Sequence, residues 1–102
     1  DTIDDFRASG MGSDMLQFED AAFGGVGSIG ALAANRYGHG DASSMQYFTT
    51  ARSDPGFYFQ DDTHKLFYDS DGDFSSGSEE IATLTGCSGF AVTATVDGID
   101  MV

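Results

Sequence analysis

The sequence predicts an all-β fold of short strands, sandwich-like, with one short helix. Three observations predict it. Short runs of aromatic and β-branched residues alternate with clusters of Gly, Asp and Ser at residues 1–18 and from residue 57 onward. A 102-residue chain that is 40% hydrophobic, with nine Phe and four Tyr, can build one modest core, so residues 1–102 read as a single domain. One segment, residues 28–37, carries its apolar residues at helical spacing.

Taken in order, Thr2-Ile3-Asp4-Asp5-Phe6 and Asp14-Met15-Leu16-Gln17-Phe18 are expected as short strands with alternating faces. Ser9-Gly10-Met11-Gly12-Ser13 between them is a turn by composition. The helix is expected over Ser28–Tyr37, with Ser28 as its cap, Ile29, Leu32, Ala33 and Tyr37 on one face, and Gly38 ending it in a left-handed conformation. Met45 to Thr50 reads as a strand, and Asp54-Pro55-Gly56 as a turn. Phe57–Gln60 and Leu66–Tyr68 flank Asp61-Asp62-Thr63-His64 as a hairpin. Ile81–Thr85 and Phe90–Val96 are expected as strands joined by a turn at Gly86–Gly89, and Gly98–Val102 as one more.

Charge narrows the function. Seventeen acidic residues against four basic give a formal charge of −13. Nucleic acid and anionic membrane surfaces demand basic patches, so neither is an expected partner. No apolar run approaches the length of a membrane span. No basic segment followed by an apolar stretch opens the chain, so no conventional signal peptide is expected. A chain that starts at Asp1 reads as processed or excised from a larger one. Cys87 is the single cysteine, which excludes an internal disulfide.

The densest chemistry lies at Lys65-Leu66-Phe67-Tyr68-Asp69-Ser70-Asp71-Gly72-Asp73, where a strand runs into alternating carboxylates around a glycine. Asp69, Asp71 and Asp73 offer three hard oxygen donors of the kind Ca²⁺ takes, and they repel one another when no cation is present. Counted as a twelve-residue loop, Asp69, Asp71, Asp73 and Glu80 fall at EF-hand carboxylate positions. The glycine does not: Phe74 holds the sixth position and Gly72 the fourth, and the preceding segment is β-like. Three readings stand: an EF-hand, a calcium loop in a β setting, and a solvated acidic turn. A second candidate is Gly10-Met11-Gly12-Ser13-Asp14-Met15-Leu16-Gln17, which fits G-x-G-x-D-x-U-x, where U is a large apolar residue. In that pattern turn carbonyls and the Asp carboxylate hold Ca²⁺ and U enters the core. The alternative is an ordinary glycine turn. Asp1, Asp5, Asp14, Gly10 and Gly12 are the candidates for this weaker site.

An enzymatic reading finds little. His39 and His64 read as exposed loop histidines, one Cys and two distant His give no zinc spacing, and Cys87 has no neighbouring His to activate it. The aromatic cluster of Phe57, Tyr58, Phe59, Phe67 and Tyr68 reads as the packed sides of a hairpin.

Four stretches together resemble the C-terminal flanking region of repeats-in-toxin (RTX, haemolysin-type calcium-binding) proteins exported by type I secretion. Asp1–Phe6 is similar to the D-x-I-x-D-F that closes an RTX β-roll, and Gly10–Phe18 to the half-repeat that follows. Lys65–Gly72 is similar to the family's L-x-Y-D-x-D-G loop, and Glu80–Gly86 to the I-A-x-L-x-G strand after it. Asp100-Met101-Val102 resembles the acidic-then-apolar terminus of secreted members. The resemblance implies a β-roll end at residues 1–18 and a cap with export signal at residues 19–102. It implies a non-catalytic, secreted, calcium-dependent domain of a larger protein such as a metalloprotease, lipase, epimerase, adhesin or toxin. Its partner would be the type I secretion machinery. The tandem G-G-x-G-x-D blocks of a full roll are absent from the sequence. The alternative is a stand-alone binding module attached to a partner protein, with calcium purely structural.

Overall fold

Every position of Gly56–Gln60 is buried, the mark of a strand covered on both faces. The computed structural model describes residues 2–4, 15–19, 30–50, 54–87, 89–90 and 92–102. In chain order the strands are β1 (Thr2–Asp4), β2 (Leu16–Phe18), β3 (Gly30–Ala33), β4 (Tyr37–Gly40), β5 (Gly56–Gln60), β6 (Lys65–Asp69), β7 (Glu79–Thr85) and β8 (Thr95–Met101). They form a five-stranded sheet, β1-β7-β6-β5-β4, and a three-stranded sheet, β2-β8-β3. The fold is all-β, as the sequence predicts.

The sheets share one core. Phe57 and Phe59 of β5, Leu66 of β6, Ala82 and Leu84 of β7 meet Leu32 of β3 and Val96, Ile99 and Met101 of β8. Phe18 of β2 stacks on Phe57 across the gap, with ring centroids 5.4 Å apart. Each such side chain withdrawn from water contributes about 1.5–3 kcal/mol before chain entropy is set against it.

The expected hairpin is present. β5 and β6 pair antiparallel from Gly56↔Asp69 to Gln60↔Lys65, and Asp61–His64 is the turn. Pairing alternates the faces: Phe57, Phe59 and Leu66 enter the core, while Tyr58 lies on the opposite, outer face. β1 and β2 fall in different sheets, each parallel to its neighbour, β7 and β8 respectively.

Three local expectations are corrected. The helix over Ser28–Tyr37 is not formed: Gly30–Ala33 is strand, Ala34–Arg36 a single 3-10 turn, and Tyr37–Gly40 strand again. Ser28 and Ile29 lie outside the described residues. The apolar positions that share a helical face serve the core better from two strands, Leu32 from β3 and Tyr37 from β4. Met45–Tyr47 is a 3-10 turn rather than strand, and Thr49 alone makes a β-bridge, to Asp73. Finally, of the strand expected at 90–96 only Thr95 and Val96 are strand, with Val92 making a lone bridge to Val96, and they run on into Gly98–Met101 as one strand, β8, interrupted by a bulge. Gly98 has φ +98, and the resulting shift of register lets both Val96 and Ile99 face inward despite their odd spacing.

Candidate functional site

The outer face of the five-stranded sheet carries the candidate site. β6 ends at Asp69, where the chain turns out of the sheet into the acidic loop. The loop is shaped by its own carboxylates. The Asp71 N–H donates to Asp69 Oδ1 at 3.1 Å, the Asp73 N–H to Asp71 Oδ1 at 2.9 Å, and the Ser75 N–H to Asp73 Oδ1 at 3.1 Å. Three successive Asx turns therefore wind the backbone, each using one oxygen of its Asp. Ser75 also donates its hydroxyl to Asp73 Oδ1 at 2.6 Å.

Gly72 is required by the winding. Its φ is +69, and a Cβ there would collide with Thr50 Oγ1 and the Asp54 carbonyl oxygen. Opposite the loop, the Thr50 N–H donates to the Gly72 carbonyl at 3.0 Å and the Phe74 N–H to the Phe48 carbonyl at 3.1 Å.

Asp69 differs from the other two. It is only 2% exposed, and its Oδ2 has no hydrogen-bond partner among the described residues. Burial pushes its carboxyl up to about 6, reinforced by the neighbouring Asp71 carboxylate. The same interaction with Asp69, together with the Asp73 backbone N–H, holds Asp71 below the usual carboxylate range. Neither described cation relieves this. Among the described residues Arg36 is paired with Asp54 at 3.3 Å and Lys65 with Glu80 at 3.2 Å.

Glu80 is placed by a second bulge. The β6–β7 register shifts between Leu66 and Phe67, which sets Glu80 opposite Phe67 while Ala82 remains in the core. Its carboxylate is engaged by Lys65, so the structure gathers Asp69, Asp71, Gly72 and Asp73 in one loop and leaves Glu80 on the adjoining strand. Asp1, Asp5, Asp14, Gly10 and Gly12 lie outside the described residues. Among the described residues no group of three or more Asp, Glu, His or Cys side chains is arranged to hold a metal ion. The carboxylates stand in series along a wound loop, with Asp71 and Asp73 exposed.

Sequence reasoning passed over Ser75, Gly77 and the segment around Thr50. Ser75 continues the alternate spacing of the three Asp, which was the available signal. Gly77, at φ +79, lies beside the buried carboxylate: a Cβ there would make ordinary van der Waals contact with Asp69 Oδ2, at 3.9 Å. The Thr50 contact is a long-range one and has no local signature.

The histidines are not alike. His39 lies on β4 rather than in a loop, exposed, with Nδ1 3.3 Å from Asp61 Oδ2. His64 is half-buried, and its Nδ1 lies 2.6 Å from the Cys87 carbonyl oxygen. Cys87 is buried, which pushes its thiol above the ordinary value. Comparisons with family models, with curated proteins and with solved structures return no match for this chain. Among the described residues no helix is long and apolar enough to cross a membrane.

Proposed function

We propose that this chain is a non-catalytic calcium-binding domain, the C-terminal part of a secreted RTX-type protein, whose folding is linked to calcium outside the cell and which presents an export signal to type I secretion machinery. One observation carries the calcium assignment: Asp69 is buried at the head of a wound acidic loop with one carboxylate oxygen unpartnered. A buried carboxylate without a counter-charge is unfavourable by several kcal/mol in order of magnitude. A divalent cation compensates it and neutralises its neighbours.

The donor set fits. Each Asp commits one oxygen to the backbone and keeps the other, and all of the donors are hard oxygens of the kind calcium accepts. Asp69, Asp71 and Asp73 would hold the ion through the oxygens that the Asx turns leave unused. Gly72 would maintain the turn. The ion supplies charge compensation and cross-links the loop; no reaction is assigned to it.

A cation bound only by the folded chain adds about 2.7 kcal/mol of stability at a hundredfold excess over Kd. Against a total on the order of 5–15 kcal/mol, that is enough to decide folding. With a net charge of −13, the metal-free chain is further loosened by self-repulsion. Such a chain suits passage through a channel where calcium is scarce and folding where it is abundant. The export role and the RTX parentage rest on the sequence resemblance at residues 1–18 and 65–86. Thermal unfolding in millimolar CaCl₂ and in EDTA tests the calcium reading: a higher Tm with calcium is expected, and coincident curves overturn it.

A further inference from the structure

We propose that Asp41–Thr50 is a strap whose closure over the outer face of the sheet is coupled to cation binding in the acidic loop. The inference rests on the calcium reading above and adds a regulated element to it. The strap covers Tyr58. The Phe48 ring lies 5.6 Å from that of Tyr58 and 5.3 Å from that of Phe74, and Tyr58 and Phe74 are 6.0 Å apart. This trio is a second apolar layer, separate from the core between the sheets.

The two ends of the strap are held differently. At its start the Tyr58 hydroxyl donates to the Asp41 carbonyl at 3.1 Å and the Ala42 N–H to Asp62 Oδ1 at 3.0 Å, so it is anchored to the β5–β6 hairpin. At its end the contacts go to the acidic loop: Thr50 N–H to the Gly72 carbonyl, the Phe48 carbonyl to the Phe74 N–H, and the Thr49–Asp73 bridge. Phe74 is itself a loop residue and is buried, its ring packed against Phe48 of the strap and Tyr58 of the sheet.

The segment that winds Asp69, Asp71 and Asp73 therefore also carries the backbone groups that hold the strap. Repulsion among the carboxylates, with Asp69 buried and unpartnered, acts to open the loop when no cation is bound. Opening forfeits Gly72 and Phe74 as partners and exposes Phe48 and Tyr58. A cation in the loop favours closure, and by reciprocity closure favours the cation.

Hydrogen exchange on the full chain, with CaCl₂ and with EDTA, tests the coupling. Calcium should slow exchange at the Thr50 amide at least tenfold, and slow it more than at the Ala42 amide on the anchored end. Calorimetric titration with CaCl₂ gives the reciprocal measurement: Phe48→Ala should bind calcium at least fivefold more weakly, and Phe48→Tyr, which keeps the ring, should restore it. If Phe48→Ala does not fold, exchange in the unmodified chain decides. Calcium that binds while Thr50 exchange is unchanged, or that binds Phe48→Ala as tightly as the parent chain, overturns the coupling and leaves the calcium site standing. Absence of any calcium binding overturns both.

Discussion

Asp71 donates its backbone N–H to Asp69 Oδ1 at 3.1 Å, and the second oxygen of the same carboxylate is buried without a partner among the described residues. One half of Asp69 thus shapes the loop and the other half holds uncompensated charge. A carboxamide keeps the first property and removes the second.

Asp69→Asn is therefore expected to act in opposite directions with and without calcium. In EDTA at neutral pH, the variant should be more stable than the parent by about 1 kcal/mol or more, because a buried amide is less unfavourable than a buried carboxylate. For a domain of this size that is roughly 4–8 °C in Tm. In calcium the variant should show little further rise. Paired thermal melts check both halves, and a variant that is less stable in EDTA contradicts the burial argument.

The pH dependence of the calcium-free domain follows from the same group. Asp69 is raised to about 6 in the folded chain, against about 3.9 for an unperturbed Asp. A raised folded value means the native state binds the extra proton, so this stabilisation is complete below about pH 4 and is lost as pH rises through 6. Relief of general repulsion at a charge of −13 has the same sign. Urea unfolding in EDTA should give a higher midpoint at pH 5 than at pH 8. Saturating calcium should shrink or reverse that difference, since protons and the ion compete for Asp69.

What the sequence disclosed follows from how local each signal is. The Phe57–Gln60 and Leu66–Tyr68 hairpin was legible because strand propensity, alternation and turn chemistry coincide within a dozen residues. The Asp69–Asp73 loop was legible because its carboxylates are adjacent in sequence. Residues 28–37 misled because Leu32, Ala33 and Tyr37 satisfy a helical face as well as two strands, and only packing against β8 and β5 chooses between them. The bulge at Gly98 was misread as a strand break, since it interrupts alternation in the same way. The strap was invisible as such: Thr50 and Gly72 meet through tertiary structure alone.

Gly72 and Gly77 both have positive φ, +69 and +79, yet they should respond differently to alanine. At Gly72 a methyl group meets Thr50 Oγ1 and the Asp54 carbonyl, so strain and steric collision add. Gly72→Ala should destabilise by about 2–4 kcal/mol. At Gly77 the nearest atom, Asp69 Oδ2, is 3.9 Å away, leaving only the left-handed backbone penalty of about 1–2 kcal/mol. Denaturant midpoints in calcium should rank parent, Gly77→Ala, Gly72→Ala in falling order.

His64 offers a structural rather than chemical prediction. Its φ of 61 is the left-handed region, unusual for a residue with a Cβ. Its N–H donates to the Gln60 carbonyl at 2.8 Å, its carbonyl accepts from the Leu84 N–H at 2.7 Å, and its ring reaches the Cys87 carbonyl. The residue thus ties the β5–β6 turn to the end of β7. His64→Gly relieves the backbone and loses the ring contact, two effects of about 1 kcal/mol and opposite sign, so it should be nearly neutral. His64→Ala keeps the strain and loses the contact, and should cost about 1 kcal/mol. His64→Val adds a β-branched side chain at positive φ and should be worst. The expected order of urea midpoints is Gly, then Ala, then Val. A glycine variant less stable than alanine would mean that the backbone of this turn is not what the side chain at position 64 works against.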